Sequence, residues 1–231
     1  MKLLAFETAT EACSVALYLD GEVLERFEVA PRRHAEYALP WAQALLADAG
    51  IARSQLDAIA VGRGPGAFTG VRLAVALGQG VALALDRPVL PVSTLLAIAA
   101  QSRGERVLAS IDARMGEVYT AAFVRHGTEL RAVAAETVGA PQAVVLPDTA
   151  GGWSALGTGF AAGGGALQAH LASQLADVDA GALPHAADIA RLGAAALARG
   201  EAIAAERLEP AYLRDNVALT LEEQRVLRAA R

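Results

Sequence analysis

Val61-Gly62-Arg63-Gly64-Pro65-Gly66-Ala67-Phe68-Thr69-Gly70-Val71-Arg72 is the stretch that decides the fold. An apolar run from Leu56 to Val61 leads into it, and an alanine-rich helical pattern from Phe68 to Leu85 leads out. Gly62, Gly64, Gly66 and Gly70 permit backbone angles and close backbone approaches that a Cβ forbids. Pro65 fixes its own φ and disfavours the α region for Gly64. The expectation is a stiff strand-to-helix turn whose first N–H groups face outward. Such a turn can bind an anion or serve as a plain tight connection, and the glycines alone favour the connection.

Upstream, Lys2 to Glu7 reads as a buried strand, followed by a polar bend and a second strand from Cys13 to Leu19. Asp20-Gly21 is a hairpin signal, and Glu22 to Val29 gives a third strand. Leu24 and Phe27 do not alternate onto one face, which suggests a bulge there. A helix covers about His34 to Asp48. Pro40 is tolerated only in a first turn, so its expected start lies nearer Glu36 or Leu39. Downstream come a short strand, Val89 to Val92, and a helix capped by Ser93 and running to about Gln101.

Ser102-Arg103-Gly104-Glu105 marks a change of composition and the expected boundary between subdomains 1–105 and 106–231, with the end of the chain packing back on the first. Strands follow over Arg106 to Asp112, Glu117 to Val124, Leu130 to Thr137 and Trp153 to Leu156. A short helix is expected from Pro141, and longer ones over Ala166 to Leu175 and Asp188 to Arg199. The segment Pro210-Ala211-Tyr212-Leu213-Arg214 and a charged tail close the chain. The order is three strands, helix, strand, helix, strand, helix, then a weaker second round: two related α/β halves, each a mixed sheet covered by helices.

Composition narrows the function classes. With 231 residues, 54% hydrophobic and 19% charged, the chain suits a well-packed globular protein. Lys2 is the sole lysine among 20 basic residues, which excludes an active-site lysine. The net charge of −5 argues against broad electrostatic binding of nucleic acid. A single cysteine, Cys13, fits a reducing compartment. The N-terminus lacks a signal-peptide pattern, and no uncharged apolar run reaches the ~18 residues of a membrane span. A cytoplasmic protein with no membrane association is expected.

Chemistry-bearing residues are sparse. Glu7, Thr8, Thr10 and Ser14 lie around a turn between strands, where they could position a nucleotide phosphate or its magnesium, or could satisfy the turn's own backbone. His34, His126, His170 and His185 have no metal-site spacing, and Cys13 begins an apolar strand, where inert core is the default. Asp112, Arg114 and Glu117 flank a hairpin as a structural salt link. Arg32, Arg33 and His34 form a small basic cluster. The helices holding Tyr37, Trp41, Leu45, Val75 and Gln79 are apolar around much of their circumference, which fits either mutual burial or a protein partner. No catalytic set and no metal site assembles from the sequence.

Four blocks, taken together, resemble the TsaB family. They are Phe6-Glu7-Thr8-Ala9-Thr10-Glu11-Ala12-Cys13-Ser14-Val15-Ala16-Leu17, Gly62-Arg63-Gly64-Pro65-Gly66-Ala67-Phe68-Thr69-Gly70-Val71-Arg72, Ile111-Asp112-Ala113-Arg114-Met115-Gly116-Glu117-Val118-Tyr119 and Glu209-Pro210-Ala211-Tyr212-Leu213-Arg214. Glu7 stands where that family usually has aspartate, and Ala67 where it usually has serine. The resemblance implies the fold of the actin, hexokinase and Hsp70 ATPases: two duplicated α/β subdomains with a cleft between.

It also implies a subunit that works with TsaD and the ATPase TsaE to place a threonylcarbamoyl group on the adenosine 3′ of the anticodon in tRNAs reading codons that begin with A. TsaD holds a metal through an H-x-x-x-H pair. The corresponding Val92-Ser93-Thr94-Leu95-Leu96-Ala97-Ile98-Ala99-Ala100 has no histidine. The expectation is a non-catalytic partner of TsaD with no activity and no intrinsic cofactor, ATP or ADP entering only within the complex. Tyr37, Trp41, Leu45, Val75 and Gln79 would meet TsaD, or a second copy in a homodimer when the chain is alone, and tRNA contact would be indirect. The alternatives are an independent nucleotide-dependent hydrolase or peptidase and a small nucleotide-binding module.

Overall fold

The computed structural model describes residues 1–147 and 151–214; the expected charged tail lies outside the described residues. The first half contains β1 (Lys2–Glu7), β2 (Ala12–Leu19), β3 (Glu22–Val29), α1 (His34–Asp48), β4 (Ala58–Gly62), α2 (Phe68–Leu85), β5 (Val89–Val92) and α3 (Thr94–Ala100). The second contains β6 (Arg106–Arg114), β7 (Glu117–His126), β8 (Glu129–Ala132), β9 (Thr137–Gly139), β10 (Trp153–Leu156), α4 (Ala162–Leu171), β11 (Leu175–Asp179) and α5 (Ala186–Ala198).

The duplication is explicit in the strand order. The first sheet runs β3-β2-β1-β4-β5 and the second β8-β7-β6-β10-β11, with β9 also on β7. In each, the first three strands pair antiparallel and the last two add in parallel. Alternation along β1 sends Leu4 and Phe6 to a core with α1 and α2, and Leu3 and Ala5 to a core with α5. In the second sheet, Val107, Ala109 and Ile111 meet α3, while Leu108 and Trp153 meet α4. The last helix of each half therefore covers the sheet of the other, and α3 packs on α5 between the sheets.

Several expectations change. β3 pairs with β2 in unbroken register from Ala12↔Val29 to Leu19↔Glu22, so there is no bulge. It is an edge strand that leaves Leu24 exposed, and alternation need not be strict on such a strand. α1 starts at His34 with Pro40 well inside it. Pro40 and Glu36 are both solvent-exposed, so the carbonyl that loses its helical donor faces water.

The single strand expected over Leu130 to Thr137 is two, β8 and β9, because residues 133–136 loop out and Glu136 turns back to Ser93 and Arg63. Pro141–Ala143 is only a 3-10 turn. α4 is regular from the expected Ala166, since Gly163, Gly164 and Gly165 take φ of 57°, 69° and 81°; it ends at Leu171, short of the expected Leu175, where a strand not expected from the sequence, β11, begins. Alanine and leucine carry little β signal, and only parallel pairing with β10 selects the extended form there.

α2 is long and apolar enough, by length and composition, to cross a membrane, with a mean hydropathy of 1.5 over its 18 residues. In the fold it lies on β4 and β1 and against α1.

Candidate functional site

All four sequence blocks that carried the family resemblance converge on one cleft of about 1170 Å³ between the two sheets. Its lining includes Ala9 to Glu11, Gly66 to Leu73, Ile111 to Arg114 and Ala211 to Arg214.

At the floor, the turn after β4 packs directly on the backbone that follows β1. A Cβ at Gly70 would stand 2.0 Å from the Thr8 carbonyl oxygen, and one at Gly66 2.3 Å from that of Ala9. The Ala67 N–H donates to the Ala9 carbonyl at 2.7 Å, and Thr8 Oγ1 donates to the Gly70 carbonyl at 2.7 Å. These glycines are required by backbone-on-backbone contact.

Glu7 is fully buried beside Gly62, where a Cβ would come within 2.0 Å of its Oε2. Its Oε1 accepts from the Ala9 N–H at 2.6 Å and its Oε2 from Thr94 Oγ1 at 2.8 Å. Burial dominates these donors and pushes its pKa from 4.5 up to about 7. Thr10 Oγ1 accepts from the Ala12 N–H at 3.3 Å.

Ser14 stands directly opposite Glu7 in the β1–β2 register, on the face of the sheet that α5 covers. Its hydroxyl donates to Glu25 Oε1 at 2.7 Å and accepts from the Ala186 N–H at 2.9 Å. Glu25 also accepts from the Ala187 N–H at 3.0 Å and pairs with His185 at 3.0 Å. The set closes the N-terminus of α5 on β2 and β3. Of the four residues expected around a nucleotide, Thr10 lines the cleft, Glu7 and Thr8 are buried beneath it, and Ser14 belongs to this helix cap. Every one is hydrogen-bonded within the chain. Among the described residues, no group of three or more His, Cys, Asp or Glu side chains is placed to hold a metal ion.

The rim is built differently. Phe68, at the start of α2, is stacked under the Arg72 guanidinium at 3.2 Å from its ring centroid. Arg72 Nε donates to Tyr212 Oη at 2.9 Å, and its guanidinium lies 5.1 Å from the Tyr212 ring centroid. The segment carrying Tyr212 straps the two halves together. The Ala211 N–H donates to the Arg63 carbonyl at 2.8 Å, and Arg214 reaches Glu117 and the Ala113 carbonyl on the β6–β7 hairpin. Asp112 and Arg114 form an ion pair at that hairpin, at 2.8 Å.

The helix residues expected at a partner surface divide. Leu45 and Val75 are buried in the core beneath α1 and α2. Gln79 is engaged by the chain itself, donating to the Ala205 and Leu208 carbonyls at 3.2 and 3.0 Å. Tyr37 and Trp41 stack with centroids 4.8 Å apart and are partly buried on the same core. The large apolar side chains that these helices do expose are Leu39, Phe68 and Leu83. Periodicity could not separate the two sets, because both helices are apolar nearly all round.

The family model described as TsaD, tRNA N6-adenosine threonylcarbamoyltransferase, matches residues 27–221. The Escherichia coli tRNA threonylcarbamoyladenosine biosynthesis protein TsaB is 41% identical, over 94% of this chain and 96% of its own. The protein of the same name from Haemophilus influenzae is 37% identical, over 94% and 95%. A Pseudomonas aeruginosa crystal structure, described as an uncharacterized protein with similarity to peptidase YEAZ, superposes with a TM-score of 0.86 at 46% identity, covering 92% of this chain and 99% of that one.

Proposed function

The chain belongs to the TsaB family of tRNA threonylcarbamoyladenosine biosynthesis proteins, and we propose that it serves there as a non-catalytic subunit supporting TsaD. The observation that carries this reading is the cleft floor, where the Thr8 and Ala9 carbonyls press on Gly70 and Gly66. The two halves of the fold leave a cleft, but its glycine turn is occupied by the protein's own backbone. Glu7 beneath it is buried and engaged by Ala9 and Thr94. A subunit so built holds no nucleotide of its own; ATP or ADP enters with the partners, TsaD and the ATPase TsaE, in the cytoplasm.

The surface of α1 and α2 around Trp41 is the face assigned to TsaD, and to a second copy of the chain when TsaD is absent. The subdomain boundary falls at Ser102–Glu105, with α5 crossing back to the first sheet. The deciding experiment is reconstitution of tRNA threonylcarbamoylation with and without this chain. Modification without it, at an undiminished rate, would sink the proposal. Gel filtration with TsaD adds a second readout: co-elution is expected for the wild-type chain and its loss for Trp41→Arg. Robust ATP or peptide hydrolysis by the isolated chain would favour the hydrolase alternative instead.

A further inference from the structure

The polar groups of the cleft floor are hydrogen-bonded within the chain, whereas the rim carries exposed groups suited to a ligand. Phe68 and Tyr212 leave 58% and 56% of their surfaces exposed, an unusual display for two rings facing one opening. Arg72 lies between them, and Arg32 stands on the same lining. Among the described residues, neither of these two arginines is ion-paired with a carboxylate. The lining holds four arginines, of which Arg114 pairs with Asp112 and Arg214 with Glu117, leaving Arg32 and Arg72 against Glu11. That local cationic excess arises on a chain whose net charge is −5, so it is a property of this opening and not of the surface at large.

We propose that the rim binds single-stranded RNA, an unstacked base lying on the exposed faces of Phe68 and Tyr212 and the flanking phosphates on Arg72 and Arg32. The inference rests on the tRNA-modification reading above and extends it to direct contact with the substrate RNA. Aromatic rings and guanidinium planes offer stacking surfaces to any base that is free of a helix. A paired duplex hides those base faces and offers only its backbone. The strap from Ala211 to Arg214 holds Tyr212 on Arg72, which already lies over Phe68 on α2, so the platform is assembled before any ligand arrives.

The test uses an anticodon stem-loop RNA carrying 4-thiouridine in its loop, with the full chain alone and in its complex with TsaD. Photo-cross-links are expected on the peptides containing Phe68 or Tyr212. In fluorescence anisotropy, Phe68→Leu should weaken binding by about tenfold, from the loss of one stacking ring, and Phe68→Trp should restore it. Arg72→Gln should lower the salt dependence of binding by about one unit of slope. Unchanged affinity in Phe68→Leu, or equal binding of a fully paired hairpin, overturns the inference. So does displacement of the RNA by equimolar ATP, which would assign the cleft to a mononucleotide. Loss of the cross-links on adding TsaD also overturns it and makes the rim a protein contact. Threonylcarbamoylation measured in parallel separates the two levels. Wild-type-like modification and RNA binding by Phe68→Leu defeats the RNA contact alone, whereas no requirement for the wild-type chain defeats the parent reading.

Discussion

The floor and the rim of the cleft lie a few residues apart in sequence and follow opposite logic. On the floor, Glu7, Thr8, Ala9, Gly70 and Thr94 satisfy one another's hydrogen bonds out of reach of solvent. On the rim, Phe68, Arg72 and Tyr212 are open to solvent. The difference teaches that a motif's polar groups say nothing of ligand binding until their partners are known. The floor's groups are consumed by folding, and only the rim has capacity left for something outside the chain.

That contrast can be broken by substitution, and the largest effect belongs to the floor. Gly70→Ala should drive a Cβ into the Thr8 carbonyl and disturb the Thr8 hydrogen bond, costing about 4 kcal/mol; thermal unfolding measures it, and a near-wild-type Tm would show that the floor is not rigid.

The second effect is a pH dependence. Glu7 has a folded pKa of about 7 against 4.5 for an ordinary glutamate, so the folded state binds the proton more tightly than the unfolded one. This stability is full below about pH 4.5 and is lost as pH rises through 7, on the order of 3 kcal/mol in all. Urea titrations of wild type and Glu7→Gln across that range should show the slope only in wild type. Thr94→Val, which removes the hydroxyl donor to the buried carboxyl, should cost about 2 kcal/mol near neutral pH.

A third, smaller effect tests the cap of α5. The hydrogen bond to Glu25 raises the His185 pKa against the opposing effect of burial. Burial would raise Glu25, but donors from His185, Ser14 and Ala187 outweigh it and hold the carboxyl low. Asp188, also at this helix start, is raised by burial although Arg191 and His185 oppose that. The His185 contribution is complete below its unfolded pKa and fades as pH rises through the higher folded value. The Glu25 contribution is complete above its unfolded pKa and fades as pH falls through the lower folded one. Glu25→Gln should therefore cost about 1–2 kcal/mol, most visibly near pH 5.5 to 6, by chemical denaturation at several pH values. The smallest effect is at the rim: Phe68→Ala or Tyr212→Phe should change stability by no more than about 0.5 kcal/mol, and a larger loss would make the rim structural as well.

Much of the fold was legible in local pattern. The bounds of β1, β3, β5, α2 and β10 follow from apolar runs, turn residues and the absence of competing signals. Pro40 misled because the rule against proline inside a helix assumes that the freed carbonyl is buried, and here it faces water. β11 was missed because Leu175 to Asp179 has no strand signature of its own, and a neighbouring parallel strand supplies its reason to be extended. For the site, the sequence named the Phe68, Arg72 and Tyr212 blocks, but it could not join residues 140 positions apart into one Arg72–Tyr212 contact.

What the sequence determined by itself is the order of elements, the glycine turn and the family, because these depend on local sterics, periodicity and residue identity. What the tertiary structure alone decided is which side of each feature faces what. It crossed α3 and α5 onto each other's sheets, buried Leu45 and Val75 and set the Thr8 and Ala9 carbonyls on Gly70 and Gly66. Burial and hydrogen-bond satisfaction are properties of the assembled chain: a carboxyl, a glycine turn or an apolar helix acquires its role only when distant residues have taken their places around it.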